Sequence, residues 1–328
     1  MPVLLVLIFL ASFLGTLIVI KIATKKNIMD VPNIRSSHIQ PTPRGGGLAI
    51  AISWYAGIIV LMLAKQIPDY LFASLLCGIP ITIVGMMDDI INVSPKLRLM
   101  VQLICASLAV YFLHGCNFIS LGFTDLHFPV LFNIVAVLAI VWFINLFNFL
   151  DGIDGYISVE ILFICLAAFI LAGIKLPLFL AASTAGFLIW NWQPAKIFMG
   201  DVGSTLLGFT IGIFTLHYQN VNEASVIFWL MLSSMFWFDA TITLFRRWRN
   251  HEQLSKAHKK HAYQRIIQSG FSHQRTVLYS ILVNVPVFGL TLLAYSIPKL
   301  ALLFFTLNIL YLFLVMKVVD NMFPFKCN

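Results

Sequence analysis

The chain has 328 residues, of which 60% are hydrophobic and only 10% are charged, and its formal net charge is +8. Soluble domains carry roughly 25% charged residues, so this composition excludes a water-soluble globular protein and predicts an integral membrane protein. The five cysteines are scattered without any C-x-x-C spacing. This pattern is typical of small apolar packing residues rather than of a disulfide framework or a zinc site.

Eleven apolar segments follow one another along the chain, each near the length of about 17–25 residues that spans a bilayer as a helix. They cover approximately residues 2–22, 46–64, 70–87, 99–115, 128–147, 156–173, 176–191, 202–219, 225–245, 276–297 and 299–318. The first lysine, Lys21, stands at the far end of the first segment, which favours a retained helix over a cleaved signal peptide. The sequence therefore predicts an all-α, polytopic membrane protein with about 11 transmembrane helices in a single domain, residues 1–328.

Lysine and arginine residues predict the orientation, because they concentrate on the cytoplasmic side of membrane proteins. With a periplasmic N-terminus and a cytoplasmic C-terminus, 18 of the 21 basic residues face the cytoplasm, and only Lys65, Lys175 and Lys299 face outward. Cytoplasmic loops are then predicted at about residues 23–45, 87–98, 148–156, 192–202 and 246–275. Topology explains the positive charge, so nucleic acid is not an expected partner.

Five polar clusters interrupt the apolar pattern, and all of them fall at predicted cytoplasmic ends of helices. In chain order they are TPRGGG with Arg44, GMMDDI with Asp88 and Asp89, NLFNFLDGIDGY with Asn145, Asn148, Asp151 and Asp154, FMGDVGS with Asp201 and Ser204, and HKKHAYQR with His258, His261 and Arg265. Ionisable groups at a membrane are costly and are functional candidates by default. Random placement would scatter them over both faces, so their convergence predicts a cytoplasmic site.

The acidic side chains of these clusters would repel one another in one site, so a cation is expected among them. Their ligand atoms are carboxylate and amide oxygens, which suit Mg²⁺ or Mn²⁺ rather than zinc. Mg²⁺ usually takes one or two protein carboxylates and completes its shell with water and substrate phosphates. The sequence therefore predicts a magnesium–phosphate site in which arginine, lysine and histidine side chains hold the phosphates.

Two local patterns support this prediction. Asn145, Asn148 and Asp151 recur every third residue and form one oblique stripe on a helix, since about 3.6 residues make a turn. GDVGS at the start of a helix resembles an anion cradle, because the free N–H groups and the helix dipole point at the ligand. Asn145 and Ser204 are therefore candidates for substrate binding.

Each cluster also has a purely structural interpretation. The cluster at Asp88 could be an acid pair at a membrane edge, and the cluster at Asp201 could be a helix N-cap with turn glycines. The cluster at Arg44 could be a plain loop, and the cluster at His258 could be a solvated basic face. Asp239, in FWFDATITLF, either pairs within the bundle or lines the site. The NLFNFLDGIDGY cluster is the hardest to explain structurally, because turns rarely need so many acids beside lipid.

Together, the stretches DVPNIRSSHIQPTPRGGGLAI, GMMDDIINVSPKLRLMVQ, NLFNFLDGIDG, FMGDVGSTLLGF and HKKHAYQRI resemble the polyprenyl-phosphate N-acetylhexosamine-1-phosphate transferases. The resemblance runs from Asp30 to Ile266 and is greatest for the branch that primes O-antigen and related polysaccharides. It implies that undecaprenyl phosphate attacks the β-phosphate of a UDP-N-acetylhexosamine and that UMP leaves. The sugar is expected to be GlcNAc or a 6-deoxy relative such as FucNAc or QuiNAc.

The same resemblance implies the setting of the reaction. The expected cofactor is Mg²⁺ or Mn²⁺, the expected location is the bacterial inner membrane, and the active site is expected to face the cytoplasm. The expected partners are the UDP-sugar, undecaprenyl phosphate and the lipid bilayer, with a homodimer left open.

The resemblance also implies roles for the acids near the reacting phosphates. Asp201 is expected to bind the metal, with Asn148 as a second ligand. Asp88 is expected to deprotonate or orient the lipid phosphate, and Asp89 to support either Asp88 or the metal.

The remaining candidates are expected on the nucleotide and sugar side. Asp151 and Asp154 are expected to contact the uridine or to position metal-bound water. The basic candidates for holding the diphosphate or the sugar are His258, His261 and Arg265, with Arg44 and Lys26 as further phosphate-binding candidates. Direct attack by the lipid is preferred over a covalent phospho-aspartate, because one in-line step needs fewer groups.

Three alternatives to this function stay open at the level of sequence. A phospho-MurNAc-pentapeptide transferase of peptidoglycan synthesis would usually carry a richer histidine triad in the loop that holds HKKHAYQR. A nucleotide-sugar or lipid transporter would place its site near the bilayer midplane, whereas these acids crowd one rim. A non-catalytic membrane scaffold has no need for converging acids, glycines and histidines.

Overall fold

Helices account for nearly all of the regular structure in the computed structural model, which describes residues 1–32, 40–254 and 258–325. In chain order they are α1 (Pro2–Lys25), α2 (Gly47–Leu63), α3 (Asp69–Leu76), α4 (Gly78–Ile91), α5 (Pro95–Phe112), α6 (Pro129–Leu150), α7 (Tyr156–Ala172), α8 (Pro177–Asn191), α9 (Asp201–Asn220), α10 (Val226–Leu232), α11 (Ser234–Arg249), α12 (Ala262–Gln268), α13 (His273–Ser296) and α14 (Ala301–Met322). Two short hairpins pair β1 (Met29–Asp30) with β2 (Thr42–Pro43) and β3 (Ile119–Ser120) with β4 (Asp125–Leu126). The predicted loops 23–45 and 246–275 lie partly outside the described residues.

The eleven predicted apolar segments each coincide with one helix or with two consecutive helices. Two segments are broken, because α3 passes to α4 at Cys77 and α10 passes to α11 at Ser233, the latter with a bend of 78°. Within the described part of the chain, six helical segments are long and apolar enough to cross a membrane, and the bent pair would make a seventh. The all-α polytopic membrane fold is confirmed, whereas the count of eleven spans and the orientation stay predictions.

Local sequence sets where several of these helices begin. The Ser94 hydroxyl accepts the N–H of Leu97 at 3.3 Å at the start of α5, and Pro95 occupies the first helical position. Ser272 accepts the N–H of Arg275 at 3.3 Å at the start of α13. These caps satisfy N–H groups that the first turn leaves without a partner inside the helix.

α9 lies at the centre of the bundle, where 17 of its 20 residues are buried. It packs against α2, α4 and α6, and small residues let the backbones approach closely. A β-carbon on Gly47 of α2 would overlap the backbone of Gly203. A β-carbon on Gly85 of α4 would lie 2.7 Å from the carbonyl oxygen of Asp201. Glycine at these contacts therefore brings three helices together at the start of α9.

The Gly47→Ala variant is expected to be less stable than the wild type, because its methyl group has no room against Gly203. Overpacking of this kind costs about 1–3 kcal/mol, so thermal unfolding in detergent should begin several degrees lower. The matched control is Gly289→Ala in α13, where a β-carbon meets nothing within 4 Å. An unchanged unfolding temperature for Gly47→Ala would contradict this account of the α2–α9 contact.

One end of the bundle collects the starts of α2, α5 and α9 and the ends of α4 and α6. Backbone hydrogen bonds join two of the connecting segments there: Gly46 donates to Phe198, Gly47 donates to Met199 and Phe198 donates to Pro43, at 2.9, 2.9 and 2.8 Å. The segment that carries Arg44 therefore lies directly beside the chain that enters α9. This end of the bundle holds the polar clusters that the sequence predicts to converge.

Candidate active site

Asp201, the first residue of α9, is the centre of a network of three acids and two arginines. Its carboxylate accepts hydrogen bonds from Arg44 Nη2 and from Arg98 Nη1, each at 3.0 Å. Arg44 also contacts Asp89 at 2.7 Å, and Arg98 contacts Asp88 at 2.7 Å. The acid pair of α4 is thus linked to Asp201 through two guanidinium groups, one from the β2–α2 connection and one from α5.

The two acids of α4 are held in different ways. Asp89 accepts the N–H groups of Asp201 at 2.9 Å and Val202 at 3.3 Å, and its side chain is only 3% exposed. Asp88 accepts the N–H of Val93 at 2.6 Å. The first N–H groups of α9 therefore bind a carboxylate of the protein itself, which fills the anion cradle that the sequence predicts for substrate.

The amide stripe of α6 reaches the same network. Asn148 donates to the hydroxyl of Ser204 at 3.3 Å, and Ser204 in turn donates to the Gly200 carbonyl. Asn145 donates to Gln102 of α5 at 2.7 Å. Asn148 and Asn145 line an open cleft, whereas Ser204 is completely buried and ties α6 to the start of α9.

Asp151 follows the end of α6 and is electrostatically coupled to Asp201, Asp89 and Arg44. The pKa of Asp151 is raised to about 8, first by burial and then by the negative charge of Asp201, while Arg44 acts in the opposite direction. Asp151 therefore joins the acid network in a largely protonated form near neutral pH. Of the predicted acids, Asp88, Asp89, Asp151 and Asp201 are brought together.

Asp154 belongs to a neighbouring, separate contact. It accepts the N–H of Ala195 at 3.1 Å and lies 3.3 Å from Nδ1 of His273 at the start of α13. The next residue, Gly155, donates to Asn191 at the end of α8. Asp154 thus holds the connection between α8 and α9 and the start of α13, which would position Asp201 indirectly.

The histidine segment, residues 258–261, leads into α12, which lies against the end of α6. His261 precedes α12 and is 2% exposed, and its ring centroid is 4.9 Å from that of His258. Tyr263 donates to the carbonyl of Phe149 at 3.3 Å. Burial lowers the pKa of His258 to about 3, with the nearby His261 and Arg247 acting in the same direction. His258 is therefore neutral at physiological pH.

Two predicted phosphate-binding residues do not reach the acid network. Arg265 is 2% exposed and donates to Asp320 and to the carbonyl of Phe323, both near the end of α14. Lys26 is exposed at the end of α1. In this arrangement Arg265 connects α12 to the end of α14, and its contact with the diphosphate or the sugar stays a prediction.

A cleft of about 250 Å³ opens beside Asp201 between α4, α5, α6 and α9. Its polar wall consists of Arg98, Gln102, Asn145, Asn148, Asp201 and Thr205. Its apolar wall includes Ile81, Val84, Leu99, Val101 and Phe149. Leu254, from the connection between α11 and α12, also lines it. The cleft therefore offers charged groups next to a hydrocarbon surface.

Sequence reasoning missed the roles of Arg98, Gln102 and His273. The sequence marks Arg98 only as one of the basic residues of the predicted loop 87–98, yet it bridges Asp88 and Asp201. A signal was available, because Arg98 and Gln102 are four residues apart and share one face of α5. No comparable local signal marks His273, whose partner Asp154 is 119 residues away.

The donor set suits a magnesium ion in chemistry and in number. The side chains gathered near Asp201 offer carboxylate and amide oxygens, which are the ligands that Mg²⁺ prefers. Among the described residues, no three His, Cys, Asp or Glu side chains converge as a ready-made metal site. Mg²⁺ needs only one or two protein carboxylates when substrate phosphates and water complete its shell, so Asp201 with Asn148 is a sufficient pair.

In metal-free protein, the stability of the fold is expected to fall as pH rises from about 4 to about 8. The folded pKa of Asp151, about 8, lies above its ordinary value of 3.8, so the folded state holds more protons than the unfolded state in this interval. Asp151→Asn cannot ionise and should show a flatter profile. Thermal unfolding in detergent with a chelator tests this, and exposed Asp69→Asn should keep the wild-type slope. Equal slopes for Asp151→Asn and wild type would count against the buried, protonated carboxyl.

Comparison with known proteins places this site in a family. The model of glycosyl transferase family 4 matches residues 71–219. A probable undecaprenyl-phosphate N-acetylglucosaminyl 1-phosphate transferase of Bacillus subtilis (strain 168) is 31% identical over 324 residues, covering 94% of this chain and 90% of the relative. A decaprenyl-phosphate N-acetylglucosaminephosphotransferase of Mycobacterium leprae (strain TN) is 28% identical, covering 85% and 80%. A phospho-N-acetylmuramoyl-pentapeptide-transferase of Streptococcus pneumoniae (strain Hungary19A-6) is 29% identical over 51% of this chain and 56% of the relative.

The chain forms a polytopic helical bundle with an acidic site at one end, and its relatives are named as transferases that act on polyprenyl phosphates. Together these observations define a membrane-embedded transferase. The chain belongs to glycosyl transferase family 4, among the polyprenyl-phosphate N-acetylhexosamine-1-phosphate transferases. The family predicted from the sequence is confirmed, and its O-antigen-priming branch stays a prediction.

Proposed function

We propose that this protein transfers N-acetylglucosamine-1-phosphate from UDP-N-acetylglucosamine to undecaprenyl phosphate at the cytoplasmic face of the bacterial inner membrane. UMP would be released, and the lipid-linked sugar would prime a cell-envelope polysaccharide such as O-antigen. The B. subtilis relative carries this sugar and this lipid in its name. GalNAc and the 6-deoxy sugars are the other donors that the assay below distinguishes.

The observation that carries the proposal is the junction of the acid–arginine network with a half-apolar cleft. Arg98 and Asp201 stand at the polar wall, and Val84 and Leu99 belong to the apolar wall of the same cleft. A lipid phosphate needs both surfaces, because its headgroup is charged and its chain is hydrocarbon. A transporter would need its polar groups near the midplane, whereas these groups gather at one end of the bundle.

The residues can be given roles from their contacts. Arg98 and Arg44 would bind phosphate oxygens, because guanidinium groups match phosphate geometry. Phosphate monoesters have a second pKa of about 6, so the lipid phosphate is largely dianionic at neutral pH without a base. Asp88 would therefore act mainly by orienting Arg98, with which it pairs at 2.7 Å. Asp89 would hold Asp201 through the start of α9.

The proposed Mg²⁺ would be held by Asp201 with Asn148, and it would supply positive charge to the diphosphate as the bond to UMP breaks. The chain itself would align the two substrates, since phosphoryl transfer depends mainly on positioning and charge stabilisation. His258, neutral at physiological pH, would serve as a hydrogen-bonding partner for the sugar or diphosphate rather than as a fixed cation.

Purified protein with undecaprenyl phosphate and a panel of UDP-sugars tests the proposal. The panel contains UDP-GlcNAc, UDP-GalNAc, a 6-deoxy UDP-sugar and UDP-MurNAc-pentapeptide. With each donor supplied separately, UMP release should be greatest with UDP-GlcNAc, and the mass of the lipid product should match transfer of an N-acetylhexosamine phosphate. Turnover of UDP-MurNAc-pentapeptide alone would assign the peptidoglycan reaction instead, and no UMP release from any donor would overturn the proposed function.

A further inference from the structure

The last described residues of the chain lie against the helix that follows the histidine segment. Arg265 of α12 donates through Nε to the carbonyl of Phe323 at 3.0 Å, and through Nη2 to the same carbonyl and to Asp320. Arg265 is 2% exposed, whereas the side chain of Asp320 is 30% exposed, so the buried guanidinium reaches out to a half-buried carboxylate. We name Asp320 together with residues 323–325 the terminal clamp.

A second arginine and an aromatic ring extend this contact. Arg246, at the end of α11, binds Asp320 in a bidentate pair with both distances at 2.9 Å. The ring of Phe325 is faced by Arg246 at 5.5 Å, Lys260 at 5.5 Å and Arg265 at 5.6 Å. Cations over an aromatic face attract its quadrupole, so one ring gathers cations from α11, α12 and the segment between them.

Lys260 connects the clamp to the candidate active site. Its N–H donates to Nδ1 of His258 at 3.2 Å, and its ammonium binds Glu252 at 2.6 Å. Glu252 also pairs with Arg247, which donates to the carbonyl of Leu254 at 3.2 Å. Leu254 lines the cleft beside Asp201. The ring of Phe325 faces Lys260, and polar contacts lead from Lys260 to His258 and, through Glu252 and Arg247, to the cleft wall.

A cavity beside α12 leaves part of this helix without packing partners, although its Tyr263 is buried. A cavity of about 70 Å³ lies among α11, α12, α13 and α14, with Tyr263 and Ile266 of α12 facing Met316 and Val319 of α14. Unfilled space beneath a seven-residue helix leaves it room to shift, since a void provides no packing partner. Asp239, which lines the same cavity, accepts the N–H of Ala262, the first residue of α12, at 2.9 and 3.0 Å. The hydrogen bonds at Ala262 and at Arg265 therefore contribute, together with the buried ring of Tyr263, to the position of α12.

From these contacts we propose that Asp320 and Phe325 are positioning residues for the histidine segment. They act through Arg265, Arg246 and Lys260, and they touch neither substrate nor the acid network. The inference rests on the proposed function for its kinetic consequence, but the position of the segment can be measured without any substrate.

The test compares Phe325→Leu, Asp320→Asn and Phe325→Trp with wild type. Leucine keeps the bulk of the ring but loses its cation-binding face, whereas tryptophan keeps that face. Hydrogen–deuterium exchange of the amides in residues 258–268 should speed up in Phe325→Leu and Asp320→Asn and stay near wild type in Phe325→Trp. The value of kcat/KM for the UDP-sugar should fall about 10-fold or more in the first two, since a misplacement of about 1 Å can cost roughly 100-fold.

Met322→Ala is the matched control, because Met322 lies in the same last turn of α14 and is exposed; it should change neither readout. Faster exchange confined to residues 258–268, with rescue by tryptophan, supports the positioning role. Unchanged exchange in both Phe325→Leu and Asp320→Asn overturns it, and so does faster exchange spread over the whole bundle. Absence of transfer by the wild type would instead reject the proposed function, and the exchange measurement would still decide the positioning claim.

Discussion

Replacing Asp201 with asparagine is expected to abolish sugar-phosphate transfer while leaving the protein folded in the membrane. The substitution keeps the size of the side chain but removes the charge that Arg44 and Arg98 share. It also removes the carboxylate proposed to bind Mg²⁺. Metal stabilisation of developing charge contributes several kcal/mol, and each 1.36 kcal/mol is a factor of about ten in rate. UMP release should therefore fall by at least about 1,000-fold.

Asp69→Asn is the matched control for this experiment. Asp69 begins α3, at the opposite end of the α3–α4 segment from Asp88 and Asp89, and is exposed. It should retain wild-type turnover. Unfolding temperature and detergent elution profile should be similar for both variants, since Arg44 and Arg98 keep their partners on α4 in Asp201→Asn. A turnover in Asp201→Asn above about one tenth of wild type would remove Asp201 from the metal-binding role.

Removing divalent cations is expected to have an effect of the same size. Dialysis against EDTA should stop UMP release. Without a metal ion, the carboxylates around Asp201 would repel the negative charge of a bound diphosphate. Added Mg²⁺ or Mn²⁺ should restore turnover, since both ions accept carboxylate, amide and phosphate oxygens. Direct binding of Mn²⁺, followed by its electron paramagnetic resonance signal, should be weaker in Asp201→Asn than in wild type.

EDTA that is already saturated with Mg²⁺ is the control for effects of the chelator on lipid or detergent. It should leave turnover unchanged. Full activity of thoroughly dialysed protein would end the proposal of a metal cofactor, while leaving the arginine contacts to phosphate as a separate question.

The helical fold was predictable because its signal is local. Each long apolar run in the sequence becomes a helix or a helix pair, since a backbone in lipid must satisfy its own hydrogen bonds. The 78° bend at Ser233 was not predicted, because hydropathy measures composition and not direction. α12 was missed because it has only seven residues: a local capping box of His261 and Gln264 marks its start, but contacts with Asp239 and α14 also hold it in place.

The composition of the candidate site was more predictable than its internal contacts. Polar residues at the ends of apolar helices indicated a shared site, and Asp88, Asp89, Asp151 and Asp201 lie together. The pairing within the site depends on long-range geometry, because Asp89 caps a helix that begins 112 residues later. Arg265 illustrates the opposite case, since its sequence neighbours approach the site while its own side chain turns to α14.

The burial of α9 bears on how the chain enters the bilayer. Among the described helices, α9 is not one of those apolar enough to span on its own, and it carries Asp201, His217 and Gln219. Released alone into lipid, it would leave these polar groups without compensation. Its neighbours α2, α4 and α6 are synthesised earlier. Their packing surfaces are therefore already present when α9 leaves the ribosome. A circularly permuted chain that began with α9 would lack that surface during biogenesis and should fail to insert.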